Sequence, residues 1–202
     1  MRRRHRRTVS TDAGITLTEL LVSIVIFGMV SAMVTTAAVT GLHQQTTVAN
    51  RDDALAQLRT ALQRIDRDIR STYPLLSASP TRLVLQEVEA SVTKTVTFEV
   101  TGSTLTWGET DEYADGSTST IPTRVLLDDV VTSPTSPVFS FSPITGYTAP
   151  SGSGVNASTC AFGPGIDAGC VGTITVRISV QPPHLEAPVT MSDNGTQLRN
   201  AT

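Results

Sequence analysis

The feature that most constrains this chain is a long uncharged run, because no Asp, Glu, Lys or Arg occurs from Leu20 to Asn50. Its first half, LLVSIVIFGMVSAMV, is strongly apolar. About 20 such residues in a helix cross the hydrocarbon core of a bilayer. The sequence therefore predicts a membrane helix, with residues 20–39 embedded in lipid. Thr35 and Thr36 are tolerated there because their hydroxyl groups can donate to helix carbonyls.

Charge is distributed unevenly on the two sides of this segment. Five arginines lie within the first seven residues, whereas the chain from residue 15 onward has ten basic and seventeen acidic side chains, a net charge of -7. Basic residues beside a membrane helix stay on the cytoplasmic side. We therefore expect a cytoplasmic N-terminus and an extracytoplasmic C-terminal body. No nucleic-acid partner is expected for this acidic body, because such binding relies on Lys and Arg to neutralise phosphates.

A cleaved secretory signal peptide is an alternative interpretation of the same segment. It would also show a basic start, an apolar stretch and small residues such as Ala37 and Ala38 at the cleavage point. Against it, the polar stretch TDAGITLTE separates the arginines from the apolar run, and the helical pattern continues past the alanines. A cleaved signal would place the mature N-terminus near Ala38.

Beyond the membrane segment, apolar residues recur at helical spacing. They lie three or four positions apart: Leu55, Leu58, Leu62, Ile65 and Ile69. This stripe is typical of an amphipathic helix that packs one face against a domain. Asp66 and Arg70 are four residues apart on the polar side, which favours an ion pair. With Pro74 as a stop signal, the sequence predicts a helix over residues 15–71.

The start of this helix resembles a known signature. The stretch GITLTELL follows a short basic leader and directly precedes the apolar run, which is similar to the N-terminal signature of type IV prepilins and type II secretion pseudopilins. The resemblance implies that a membrane prepilin peptidase cuts between Gly14 and Ile15, and that Ile15 is then N-methylated. Residues 1–14 would be the cleaved leader and residues 15–71 the pilin N-terminal helix.

A carboxylate, that of Glu19, stands at the edge of the apolar run. Placing a charge near the centre of a lipid-embedded helix costs about 2.5–3.5 kcal/mol, and less near the interface. In the resembled family the partner of this glutamate is the free amine of a neighbouring subunit, so the resemblance implies that Glu19 acts in filament assembly. The alternative is that Glu19 lies at the interface and faces water and headgroups.

After Pro74 the sequence predicts an extracytoplasmic, β-rich domain over residues 75–202. Alternating apolar and polar residues between Gly, Pro, Ser and Asp indicate strands. Gly102 is expected in a tight hairpin turn. The predicted fold class is α+β: a long N-terminal helix, transmembrane and then amphipathic, packed on an antiparallel sheet, as in pilins. The predicted strands are 82–88, 95–100, 103–109, 123–130, 137–143 and 172–180.

The two cysteines of the chain, Cys160 and Cys170, lie in a predicted long loop over residues 144–171. Outside the cytoplasm a local disulfide is the natural interpretation, and it would contribute about 2–3 kcal/mol for a loop of this length. Metal ligation is the alternative, but two cysteines without nearby histidines make an incomplete zinc site.

Two further stretches resemble one branch of the prepilin-type proteins. The stretch LRTALQRIDRDIRS is similar to the helix of minor pseudopilins of the J class, with Asp68, Ile69 and Arg70 where that class has an Asp-Leu-Arg-like triplet. The chain also ends in a segment containing LRN, as such proteins do.

The sequence shows no arrangement typical of an enzyme. The histidines, His5, His43 and His184, are scattered, and no nucleophile elbow, zinc-protease helix or phosphate loop occurs. Two acidic groups could be considered for calcium, but neither has EF-hand spacing and solvated loop charge is the simpler interpretation. They are Asp128 with Asp129, and Asp111 with Glu112 and Asp115. We therefore expect no catalytic residues, metal or cofactor.

These features predict a minor pilin or pseudopilin that enters or initiates a type IV pilus-like or type II secretion-like filament. The expected partners are a prepilin peptidase, other pilins and the membrane, and the expected location is a single-pass membrane protein that joins a surface filament. The alternative is an extracytoplasmic enzyme or binding protein held by an uncleaved signal anchor.

Overall fold

The computed structural model describes residues 16–71, 74–89, 91–133, 135–163, 165–183 and 185–198. These residues contain one helix, α1, at Leu17–Ser71, and eleven strands. The strands are β1 (Leu75–Ser79), β2 (Arg82–Glu89), β3 (Val92–Thr101), β4 (Thr104–Tyr113), β5 (Thr118–Leu127), β6 (Phe139–Pro143), β7 (Ala161–Phe162), β8 (Gly165–Ile166), β9 (Val171–Val180), β10 (Val189–Ser192) and β11 (Thr196–Gln197). The chain divides into two compact units, Met1–Thr46 and Thr47–Thr202.

The described part of the first unit is helical from Leu17 onward, and none of its side chains is buried. Its hydroxyl groups bond to the helix itself. Thr35 donates to the carbonyl of Ser31 at 2.8 Å, and Thr36 donates to that of Ala32 at 2.9 Å. The predicted bonds from the hydroxyls of Thr35 and Thr36 to helix carbonyls are therefore present. Such bonds leave the hydroxyls with partners in a medium that offers no water.

The helical part of the second unit buries one stripe. The buried side chains are Ala54, Leu58, Ala61, Leu62, Ile65 and Ile69. Four of the five predicted residues are among them, while Leu55 is only partly buried at the edge of the stripe. The helix ends at Ser71, as predicted.

The first five strands form one antiparallel sheet in the order β1-β2-β3-β4-β5. Strands β3 and β4 are joined by a two-residue turn in which Gly102 has a φ of 63°, so the predicted hairpin is confirmed. Adding a Cβ at such a φ strains the backbone, and glycine avoids this. The three strands predicted first, at residues 82–88, 95–100 and 103–109, correspond to β2, β3 and β4. These strands are neighbours in the sheet.

The prediction of a strand over 123–130 was wrong in its bounds, because β5 runs from Thr118 to Leu127. Pro122 lies within the first half of β5. It fits because β5 is an edge strand, where a missing backbone N–H removes no ladder bond on the outer side. At the other end Asp129 has a φ of 57°, which turns the chain out of the extended conformation.

A second antiparallel sheet is built around β9, which pairs with β6, β10 and β11. The sequence pattern predicted one sheet and gave no strand at β1, β10 or β11. The two-residue strand β11 is too short for an alternating pattern, and β10 follows a stretch rich in proline. The predicted long loop over residues 144–171 contains a further small hairpin, β7 with β8.

Side chains from α1 and both sheets share one core in the second unit. Fully buried members include Leu58 and Ile65 from the helix, Phe98 from the first sheet and Ile174 from the second. The fold class is therefore confirmed: this is an α+β, pilin-like architecture with a long N-terminal helix and an antiparallel five-stranded sheet.

Candidate processing and assembly site

The described chain begins at Thr16, and this residue caps the helix. Its hydroxyl oxygen accepts a bond from the backbone N–H of Glu19 at 3.3 Å, and its carbonyl accepts the first helical bond from Leu20 at 3.1 Å. A threonine at the N-cap followed by a glutamate three residues later is the pattern of a capping box. This role of Thr16 was not predicted from the sequence, although the T-x-x-E spacing in TLTE indicates it.

Glu19 lies in the first turn of α1 and is exposed. A negative charge is favoured here by the helix dipole and by the unpaired N–H groups of the first turn. Its carbonyl accepts a bond from the hydroxyl of Ser23 at 2.8 Å. The carboxylate is thus placed on the outer surface of the helix, where a group from another molecule can reach it.

The helix surface that follows Glu19 is apolar on all sides. The large exposed side chains are Leu20, Leu21, Val22, Ile24, Val25, Ile26, Phe27, Met29, Val30, Met33 and Val34. A helix that is apolar all round belongs either in a protein core or in a membrane. Among the described residues α1 is the one helix long and apolar enough to cross a bilayer, and its apolar window is not buried. This segment fits membrane anchoring.

Gly14 and Ile15, the predicted cleavage and methylation positions, lie outside the described residues. So do the arginines of the leader, His184 and the end of the LRN stretch. Their assigned roles remain predictions.

The predicted pair of Asp66 and Arg70 forms on the polar side of α1, with 2.9 Å between Arg70 Nε and Asp66 Oδ2. The other carboxylate oxygen of Asp66 accepts a bond from the hydroxyl of Thr196, a buried residue of β11. The Arg70 bond is the main cause of a lowered pKa of Asp66, and burial partly opposes it. This carboxylate therefore joins the helix to the last described strand.

Arg64 connects α1 to the first sheet. Its guanidinium carbon lies 4.3 Å from the ring centre of Trp107, and its Nε lies 3.0 Å from a carboxylate oxygen of Asp68. The indole N–H of Trp107 donates to that same oxygen at 3.3 Å. Nearby, burial raises the pKa of Glu109, and the charge of Asp111 adds to that shift. Residues 64–68 thus hold the helix against β4 by polar contacts as well as apolar ones.

Cys160 and Cys170 are joined by a disulfide, with 5.4 Å between their Cα atoms. Both residues are fully buried. The bond closes the segment that contains the small hairpin of β7 and β8, and the backbone N–H of Asp167 donates to the carbonyl of Cys160 at 2.8 Å inside it. A short segment with little core of its own is thereby held in one conformation.

The acidic groups considered for calcium are not assembled into a site. Among the described residues, no three His, Cys, Asp or Glu side chains come close enough to hold a metal ion. Asp115 instead accepts bonds from the backbone and the hydroxyl of Ser117, which lower the pKa of Asp115.

Comparison with known proteins identifies the N-terminal segment. Residues 10–35 match the family described as the prokaryotic N-terminal methylation motif. No curated protein and no solved structure matches the chain significantly. The chain therefore carries a prepilin-type motif, the mark of a pilin or pseudopilin-type precursor that is processed by a peptidase, on a pilin-like α+β fold.

Proposed function

We propose that this protein is a minor pilin or pseudopilin subunit that enters or initiates a pilus-like or type II secretion-like filament. The observation that carries the proposal is the motif at residues 10–35, which ends in a helix with an exposed carboxylate in its first turn. The apolar helix surface that follows Glu19 supports a bundle of such helices, because every side of this surface can pack against lipid or another helix.

The proposed mechanism is charge capture after processing. Cleavage between Gly14 and Ile15 creates a new chain end, and methylation leaves that amine able to carry a proton. Glu19 of an adjacent subunit would then neutralise the amine away from water. Pairing removes a cost of about 2.5–3.5 kcal/mol that a lone charge carries inside the hydrocarbon core.

Thr16 offers a second role for Glu19 within one chain. A capping-box glutamate stabilises its own helix start, and losing a cap costs about 0.5–2 kcal/mol. The two roles make different predictions, since capping acts on one helix whereas charge capture acts between subunits. Thr16→Ala removes the cap and keeps the carboxylate, so it separates them.

In this proposal the β-rich domain is a structural part of a filament subunit and not an enzyme. The N-terminus is cytoplasmic and the β-rich domain extracytoplasmic, because the arginines of the leader favour the cytoplasmic side. The partners are a prepilin peptidase, other pilins and the membrane. A membrane-anchored enzyme or binding protein is the rival, and it would need neither cleavage nor Glu19.

The test compares Glu19→Ala, Glu19→Asp and Thr16→Ala in cells that assemble the filament. Incorporation into sheared or purified filaments should fall more than about tenfold for Glu19→Ala, because an uncompensated charge costs over 1.4 kcal/mol. Glu19→Asp should retain part of the incorporation and Thr16→Ala most of it. Equal losses in Glu19→Ala and Thr16→Ala would assign Glu19 to capping alone.

A mass measurement tests processing directly. The protein extracted from membranes should lack residues 1–14 and carry one added methyl group on Ile15. A chain that retains the arginines, or one that begins near Ala38, would overturn the proposal in favour of an uncleaved anchor or a cleaved signal peptide.

A further inference from the structure

A groove of about 570 Å³ opens on the second unit, between α1 and the edge strand β5. We call it the arginine groove and define it by its polar and aromatic lining: Gln57, Thr60, Gln63, Arg64, Arg67, Trp107 and Arg124. Trp107 and Arg124 are register partners on β4 and β5, so their side chains lie on the same face of the sheet. The groove is therefore built from three elements of one compact unit.

The arginine groove has positive charge in excess. Arg64 is already paired with Asp68 and lies 3.9 Å from Glu109. Arg67 and Arg124 are exposed, and no carboxylate of the described residues lies within 4.0 Å of either. Arg67 and Arg124 thus line an open groove, and neither has an ion-pair partner among the described residues.

The same unit carries a surface of the opposite sign on β2, β3 and β4. Glu87, Lys94 and Asp111 are direct cross-strand neighbours, and Lys94 Nζ lies 3.3 Å from the Glu89 carboxylate. We call Glu87 and Glu89 the acidic patch; one carboxylate oxygen of the neighbouring Asp111 is buried. One Lys94 ammonium cannot neutralise two carboxylates, and the pKa of Lys94 is raised first by Glu89 and then by Glu87 and Glu109.

We propose that the acidic patch of a second copy of this chain occupies the arginine groove. Guanidinium groups bind carboxylates in a planar, bidentate manner, which suits two carboxylates on one rigid sheet. Both surfaces belong to one chain, and self-complementary surfaces of this kind are what a homotypic interface requires. The inference deepens the proposed function, since it names a contact between the heads of the subunits.

A nucleic acid fits the groove less well than a second copy does. Phosphate backbones carry dense negative charge and are bound by extended Lys and Arg surfaces. Here Glu109 lies directly beside Arg64, and the chain from residue 15 onward has a net charge of -7. A small number of carboxylates on a sheet matches the positive charge of the groove. Such a partner does not place a long anion close to Glu109 and the other acidic residues.

The experiment uses two tagged versions of the full chain, expressed together and kept in their membranes. One carries Gln63→Cys at the groove and the other Ser91→Cys beside the patch, and a short bismaleimide joins cysteines that come close. Both positions are exposed. A cross-link between the two versions is expected. Pairing Gln63→Cys with Ser140→Cys, exposed on β6, is the control for random collision.

Charge reversal makes the test decisive. The groove variant, Arg67→Glu with Arg124→Glu, and the patch variant, Glu87→Lys with Glu89→Lys, should each lower the cross-link yield about tenfold when present in both copies, because like charges then face each other. Combining the groove variant in one copy with the patch variant in the other should restore it. Arg177→Glu, an exposed reversal on β9 outside both surfaces, should have no effect.

The outcomes separate this inference from the proposed function. A cross-link that is no stronger than the Ser140→Cys control, or that survives both reversals, overturns the contact. A loss in the groove variant that the patch variant does not restore also overturns the second copy as the occupant. Repeating the measurement with Glu19→Ala tests the contact where filament incorporation is expected to fall, so either idea can fail alone.

Discussion

The two halves of α1 share one backbone conformation and differ in what their side chains contact. Residues 17–46 have no buried side chain, although most of them are apolar. Residues 47–71 are richer in charge, yet Leu58, Ile65 and Ile69 are fully buried. Apolar character alone therefore does not decide burial within this protein. The second half is stabilised by its own unit. The first half is not covered by the described residues of its own unit, and a bilayer or other helices can cover it.

The largest expected effect comes from the same substitution in each half. Ile65→Ala should lower the free energy of unfolding of the body by about 2–5 kcal/mol, because it leaves a cavity in a packed core. Ile26→Ala should change it by less than about 0.5 kcal/mol. Urea unfolding in detergent, followed by the fluorescence of Trp107, measures both. Similar losses at the two positions would mean that the first half also stabilises the body.

For membrane anchoring, we expect a substitution in the first half of α1 to have the larger effect. Val30→Asp places a carboxylate at the middle of the predicted span, at a cost of about 2.5–3.5 kcal/mol on insertion scales. The fraction retained by membranes after carbonate extraction should therefore fall. Val48→Asp makes the same change on the same helix at an exposed position of the second unit, and should be retained like the native chain. Release of both variants alike would argue against a span over residues 20–39.

The disulfide should matter to the second unit alone. Replacing Cys160 and Cys170 by serine should cost about 2–3 kcal/mol of body stability, since the closed loop is short. Membrane retention should be unchanged. Adding a reductant to the native protein should produce the same loss, with no further loss in the double variant. An effect of reductant on that variant would show that the reductant acts elsewhere.

The smallest expected effects concern two carboxylates whose pKa values are shifted in opposite directions. The pKa of Asp66 is lowered from 3.8, so its ionised form stabilises the body at neutral pH, and this contribution is lost as the pH falls below 3.8. The pKa of Glu109 is raised from 4.5, so its ionised form is penalised at neutral pH, and protonation relieves the penalty. Both groups are partly screened by solvent.

At pH 7, Asp66→Asn should therefore lower body stability by up to about 1 kcal/mol, and Glu109→Gln should leave it unchanged or slightly raised. Both differences should shrink when unfolding is measured below pH 3.5. Asp66→Asn effects that persist at low pH would be due to a changed fit of the amide beside Thr196 and Arg70 and not to charge.

Local sequence patterns predicted the elements in which apolar residues recur at a regular spacing. The stripe at Leu58, Leu62, Ile65 and Ile69 predicted the buried face of α1, because helical spacing repeats whichever partner covers it. The T-x-x-E spacing around Thr16 would likewise have been sufficient to predict the helix cap. Short or interrupted strands gave no such signal. Pro122 interrupts the strand pattern in the first half of β5. Whether a proline is tolerated in a strand depends on whether that strand lies at the edge of a sheet.

The sequence by itself determined the membrane-competent segment, the prepilin-type motif and the α+β class, because each depends on composition or spacing within a few turns of chain. Only the tertiary structure decided that β9 organises a second sheet, that Thr196 bonds to Asp66, and that Arg64, Arg67 and Arg124 line one groove. Those contacts join residues that are far apart in sequence. Their positions are fixed by the packing of a common core, and no local pattern encodes it.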